Sequence, residues 1–202
     1  MNELLPTEII AIHSAFERNG IPHAFGGAIA LAYAGIPRYT HDIDVNIALP
    51  QEQAARVLDS LSPVFLIRDR EKAERDLRTI AQTRLRWGDL PVDLFFANTP
   101  FHASLATRTR EVDYVGSAIP VISAADLVVC KALFNRPKDW IDIENVFKVD
   151  EHLETSYILY WLNEFREPDD NRIRRIDGFI RQYQHSSGAA PSRGLDEECS
   201  AR

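Results

Sequence analysis

Near the N-terminus Ile9, Ile12 and Phe16 recur at helical spacing, Pro6 and Thr7 mark a start and Gly20 a stop, so a helix is predicted over 7–19. Residues 23–26 read as a short strand. Residues 28–34 favour helix by composition, closed by Gly35 with Pro37 beyond. Residues 42–48 alternate acidic or polar with apolar side chains, the period of a strand, and Pro50 then opens a helix to about Leu61. The dense mixed charge of 68–78 predicts a solvated helix or loop. Strands are predicted over 79–87 and 91–96, joined at Gly88-Asp89, and over 111–115 and 119–122, folded back around Gly116.

Beyond Ser123 the pattern turns helical. Ser123 with Asp126 three residues later resembles a capping box before an apolar run, and the helix should end near Asn135 because Pro137 follows. Further helices are expected at 139–148, 154–166 and 169–184. The stretch 185–202 has Leu195 as its one large apolar residue and is expected to be a disordered tail. The expected class is therefore α/β (α+β). A mixed β-sheet with flanking helices fills 1–122, and a helical C-terminal part, 123–184, packs on it.

Composition narrows the class without choosing a function. At 202 residues, 45% hydrophobic and 26% charged, the chain is long enough to bury a core and average enough to exclude wholesale disorder. No apolar run reaches the ~18 residues of a spanning helix, and the start lacks a basic segment followed by an apolar one. Two cysteines, Cys130 and Cys199, make no disulfide framework, so a reduced, cytoplasmic compartment is expected. A net charge of -7 argues against a general nucleic-acid coat but leaves room for a local basic groove. Arg172, Arg174, Arg175 and Arg181 are one such set, although Asp169, Asp170 and Asp177 dilute it and a solvated surface is the plainer expectation.

Three features stand in a suggestive order: Gly26-Gly27, then Asp42-Ile43-Asp44, then Asp93 inside Val92-Asp93-Leu94-Phe95. Residues two apart on a strand share a face, so Asp42 and Asp44 point together. Paired carboxylates on an apolar strand need water or a cation between them. Asp93 sits among apolar neighbours on a second strand, and strands ~4.8 Å apart would let it join the pair around one or two hard cations. Such cations are usually shared with substrate phosphates. Gly26-Gly27, between a strand and a helix start, lets backbone N–H groups approach a phosphate closely. It is neither a Walker loop nor a dinucleotide fingerprint. Each element alone is common. Together and in order they carry weight.

The stretch FGGAIALAYAGIPRYTHDIDVNIAL resembles the nucleotidyltransferases of the DNA polymerase β-like superfamily. Its Gly-Gly turn and its Arg38-x-Thr40-x-Asp42-Ile-Asp44 run are most similar to AbiEii-like proteins, a group that includes toxins of type IV toxin–antitoxin systems. The segment from Ser123 to Lys131, followed by Arg136, Asp139 and Asp142, looks like their helical part. The likeness spans roughly residues 20–150. It implies that an NMP moves from an NTP to an acceptor hydroxyl with release of pyrophosphate. It also implies Mg²⁺ (two ions, with Mn²⁺ as a substitute) on Asp42, Asp44 and Asp93, with Asp93 also helping to deprotonate the acceptor. Gly26 and Gly27 would hold the triphosphate and Lys131 would neutralise it. Arg38 and Thr40 would either touch the triphosphate or merely brace the loop before the acids.

The acceptor is left open among a tRNA end or other RNA, a protein hydroxyl and a small molecule; the resemblance leans toward RNA, with a cognate antitoxin as a further partner. The alternative is a small molecule, as in enzymes that inactivate lincosamides or aminoglycosides. A non-catalytic nucleotide-binding module on the same fold is the other competing expectation, and the presence of Asp at all three acid positions favours activity. Asp139 and Asp142 are expected to be structural, and His41 to face solvent. His13, Trp140, Phe95 and Phe96 are expected in the core, with Cys130 as a buried small apolar residue.

Overall fold

The computed structural model describes residues 4–184; the expected tail at 185–202, with Cys199, lies outside them. In chain order the elements are α1 (Leu4–Arg18), β1 (His23–Phe25), α2 (Gly27–Tyr33), β2 (Ile43–Ile47), α3 (Ala54–Leu61), α4 (Arg70–Ile80), β3 (Gln82–Trp87) and β4 (Leu90–Phe96). They continue with α5 (Pro100–Thr107), β5 (Arg110–Tyr114), β6 (Ser117–Val121), α6 (Ala124–Phe134), α7 (Pro137–Val149), α8 (Thr155–Phe165) and α9 (Asn171–Phe179). A π-helical turn, Ile180–Gln184, follows. No helix among the described residues is long and apolar enough to cross a membrane.

The six strands form one mixed sheet in the order β3-β4-β2-β1-β6-β5. β1 runs antiparallel to β2 and parallel to β6, while β2 and β4 run parallel, with Asp44 opposite Asp93. The period-2 alternation of β2 decides what each face does. Ile43, Val45 and Ile47 are buried with Val92, Leu94 and Phe96 of β4 beneath α1, α3 and α4. Asp44, Asn46, Asp93 and Phe95 therefore face the other way, toward the side where α2 and α5–α9 build a second core.

Three stretches depart from expectation. Residues 79–81 end α4 rather than begin β3, because Ala81 takes a left-handed cap (φ 57°) that turns the chain into the strand. The charged run of α4 is not wholly solvated: Ala73 and Leu77, one turn apart, are buried against the sheet core. A short helix at α5 also follows Thr99-Pro100, with Pro at its first turn.

The helical part is tied together by polar contacts as well as packing. Ser123 Oγ accepts from the Asp126 backbone N–H at 3.1 Å, the expected cap. Asp126, fully buried, accepts from the Tyr157 hydroxyl at 2.6 Å, and Tyr157 is 3.0 Å from Ser104, linking α6, α8 and α5. The α9 arginines are largely engaged. Arg172 pairs with Asp170 at 3.4 Å, Arg174 lies 3.9 Å from Asp169, and Arg175 stacks 3.9 Å over the Trp140 ring.

Candidate active site

A cavity of about 360 Å³ opens on the acid-bearing face of the sheet, and every site residue expected from the sequence except Thr40 lines it. Asp42, just before β2, and Asp44 on it form the floor with Asp93 of β4. Thr40 Oγ1 donates to Asp42 Oδ1 at 2.5 Å and so fixes that carboxylate from behind.

The glycines are explained by what leans over them. Gly27 has φ +52°, and a Cβ there would lie 1.8 Å from Asp44 Oδ2. A Cβ on Gly26 would lie 2.9 Å from Asn46 Nδ2. The Gly26 N–H also donates to the Asp44 carbonyl at 2.9 Å, which pins the bend to the acid strand. Only a residue without a side chain fits against the Asp44 carboxylate at this approach.

Positive groups form the opposing wall. Lys131 of α6 is 4% exposed and donates to Asp142 Oδ2 at 2.7 Å, with Asp139 at 3.6 Å. Arg38 reaches the same Asp142 oxygen at 3.3 Å. Arg136 grips Asp139 through Nε at 2.6 Å and Nη2 at 3.1 Å, while Asp139 also accepts from the Arg136 backbone N–H. Burial works to raise the Asp139 carboxyl, but Arg136 and Lys131 outweigh it and hold the pKa below its usual value. Asp139 and Asp142 are thus the anchors of a basic wall made of Arg38, Lys131 and Arg136, with Lys138 beside them.

The third acid is placed differently from a simple ligand. Asp93 is 3% exposed, and both its oxygens are taken by Arg84, from Nε at 2.7 Å and Nη2 at 2.6 Å. Arg84 stands directly opposite Asp93 in the β3–β4 register, and this bond raises the guanidinium pKa. The three aspartates share one face but do not converge to ligating distance of one another. Among the described residues, only His13, Glu17 and His23 bring three such donors within 4.8 Å.

Asp44 carries the strain of the acid row. Burial first, then the neighbouring charges of Asp42 and Asp93, push its carboxyl up to about 6, with Lys131 and Arg136 offsetting only part. A half-buried carboxylate beside two others is a site short of positive charge. Oxygen donors in that state suit a hard divalent cation such as Mg²⁺.

Apart from its charged groups the lining is largely apolar and aromatic, with Phe95, Phe101, Ile122, Leu127 and Phe165, and with Thr99 and His102 among its polar members. The Thr99 hydroxyl lies 2.8 Å from His102 Nδ1. Phe95 is therefore part of the cavity wall rather than of the core, whereas Phe96 and Trp140 are buried as expected. Cys130 borders the cavity, and burial drives its thiol pKa up to about 12, so it behaves as a small apolar residue. His41 is exposed beside Tyr39.

No protein-family model matches the chain, and no curated protein matches its sequence. Solved structures do. The antibiotic-resistance factor ANT(2'')-Ia in solution superposes with a TM-score of 0.53 at 15% identity, over 92% of this chain and 96% of that one. Its complex with adenylyl-2''-tobramycin superposes with a TM-score of 0.50 at 12% identity, over 90% and 97%. A protein from H. pylori assigned to the nucleotidyltransferases gives a TM-score of 0.52 at 12% identity, over 92% and 97%. At this level of identity the likeness defines architecture: the chain has a nucleotidyltransferase-type fold.

Proposed function

We propose that the protein is a metal-dependent nucleotidyltransferase that moves an NMP from an NTP to a hydroxyl of a small organic acceptor. The observation that carries this reading is the opposition of Asp44 to Asp93 on parallel strands, on the floor of a cavity whose other wall is basic. Asp42 and Asp44 would hold the cation, and Asp93 would join them only after Arg84 gives up one of its oxygens. When bound, a divalent ion supplies charge neutralisation at the phosphates and at the attacking and leaving oxygens.

The chain's own residues do the positioning. Arg38, Arg136 and Lys138 receive the triphosphate, and Lys131 adds fixed positive charge from within the wall. The Gly26-Gly27 bend lets the phosphates come close to the backbone. The acceptor oxygen attacks the α-phosphorus, the bond to the β-phosphate oxygen breaks, and pyrophosphate leaves. The acceptor proton passes to Asp93 once Arg84 releases one of its oxygens. Catalysis of this kind is positioning and electrostatics rather than covalent chemistry.

The aromatic part of the lining favours a small acceptor over a tRNA end, since beyond the basic groups assigned to the triphosphate it adds rings and one imidazole rather than further cations. The engaged α9 arginines point the same way. The AbiEii-like resemblance keeps an RNA acceptor and a cognate antitoxin as the second reading. One experiment covers both: α-labelled NTPs with Mg²⁺ or Mn²⁺, offered a panel of hydroxyl-bearing small molecules and total RNA. Label transfer to a small molecule that Asp44→Asn abolishes is the expected result. Transfer to RNA alone would establish the second reading, and no transfer to any acceptor with any of the four NTPs would overturn the assignment.

A further inference from the structure

A second cluster of metal-ligating side chains lies outside the acid row, where α1 meets the start of β1. His13 and Glu17 are four residues apart on α1 and share a face. His23 opens β1 and belongs to the face beneath α1, opposite Asp44. His13 Nδ1 is 3.0 Å from His23 Nε2, and one donor atom from each of the three residues lies within 4.8 Å of the others.

The protonation pattern is fixed by a neighbour. His23 Nδ1 is 2.9 Å from the Ile21 carbonyl oxygen, which can only accept, so Nδ1 carries the proton and Nε2 presents its lone pair to His13. A backbone carbonyl holding the distal ring N–H is the usual support of a metal-bound histidine. The Phe16 and Phe25 rings flank His23 at 5.0 and 5.8 Å, so the imidazole is braced by apolar groups. The Glu17 carboxylate is exposed and takes part in no hydrogen bond or ion pair among the described residues. A cavity of about 180 Å³, lined by Glu17, His23 and Glu111 among others, opens beside the pair with room for water.

We propose that His13, Glu17 and His23 form a Zn²⁺ site, distinct from the acid row, with three protein ligands and a water-accessible position toward the cavity. Two imidazole nitrogens and one carboxylate suit a borderline cation better than Mg²⁺. Tetrahedral Zn²⁺ with Zn–N bonds of ~2.0–2.1 Å sets its nitrogens about 3.3 Å apart, so the pair at 3.0 Å needs to open by only a few tenths of an ångström. In the ion-free form His13 Nδ1–H donates to His23 Nε2. Taking up the ion moves that proton, through solvent, to His13 Nε2 and frees both lone pairs. The bound ion clamps α1 to the central strand.

The test uses the full chain, untagged, carrying Asp42→Asn and Asp44→Asn so that the acid row retains no ion. After chelation and dialysis the protein is titrated with Zn²⁺, and bound metal and Tm are measured. The expected result is one Zn²⁺ per chain with a rise in Tm that Mg²⁺ does not reproduce. Glu17→Gln, at an exposed position that leaves folding intact, should weaken binding at least fivefold, and His13→Ala more. No bound Zn²⁺, or unchanged Zn²⁺ affinity in Glu17→Gln and in folded His13→Ala, would overturn the proposal. Neither outcome touches the transferase assignment, because no nucleotide enters the measurement.

Discussion

Arg84 holds both oxygens of Asp93 from the position directly across the β3–β4 ladder, at 2.7 and 2.6 Å. The guanidinium therefore occupies the coordination that a cation would take from this acid. A competitor at such a site raises the cation concentration needed for turnover. Arg84 is half-exposed, with 55% of its side chain accessible, so the pair is worth about 1 kcal/mol or less.

Arg84→Gln should accordingly lower the Mg²⁺ concentration for half-maximal transfer by roughly 2- to 5-fold. Initial rates across a Mg²⁺ titration at saturating NTP check this. An unchanged or higher Mg²⁺ requirement would show that the pair does not gate the acid.

Asp44 gives a pH signature. Its carboxyl is raised from 3.8 to about 6 in the folded protein, so the fold binds this proton more tightly than the unfolded chain does. The stabilisation is complete below 3.8 and is lost as pH rises through about 6. Asn imitates the protonated acid. In chelator, Asp44→Asn should be more stable than the parent at pH 8, by at most ~3 kcal/mol, and the gain should vanish toward pH 4. Denaturant melts at the two pH values make the comparison, and an equal gain at both would refute it.

Gly27 and Gly26 should part company. Gly27→Ala meets Asp44 Oδ2 at 1.8 Å and places a side chain at φ +52°, whereas Gly26→Ala makes its one tight contact, 2.9 Å, with the tip of the Asn46 side chain. Gly27→Ala should cost roughly 2 kcal/mol or more and abolish transfer; Gly26→Ala should retain the fold with a smaller loss. Thermal melts and transfer assays on both variants decide it.

Lys131 depends on its acids. Asp142→Asn leaves a buried ammonium with only Asp139 at 3.6 Å and loosens Arg38 as well. The expected cost is ~3 kcal/mol in chemical denaturation, larger than that of Lys131→Met, which removes the buried charge itself. The reverse order of the two variants would mean that Lys131 is not held by this wall.

Much of this was legible beforehand because it is written in local pattern. The acid strand alternates cleanly from Ile43 to Ile47, Ser123 caps its helix, and Asn135 stops it in the left-handed conformation. The Gly-Gly bend and the three aspartates stand out by their order and spacing, and the structure brings all five residues to one cavity. What escaped depends on pairing between distant segments. Nothing in the run from Gln82 to Trp87 says that Arg84, rather than Arg86, will face Asp93, since register is set by the sheet. The role of Asp142 needed two helices to be packed before Lys131 and Arg38 could meet on it. Helix α5 is hard to read from sequence because eight residues with a weak apolar pattern say little, and Thr99-Pro100 is its one signal. Cavity-facing Phe95 looked like core because an apolar strand does not announce which face is hollow.

The central strand also shapes how the chain acquires its structure. Phe25 of β1 pairs on one side with nearby Val45 but on the other with Val121, far along the chain. One edge of β1 therefore stays open until Val121, almost a hundred residues further on, has left the ribosome. Such distant pairing makes for slow folding and a nascent chain prone to stick to its neighbours. A chaperone that shields this edge during synthesis should raise the yield of native protein more than one acting after release.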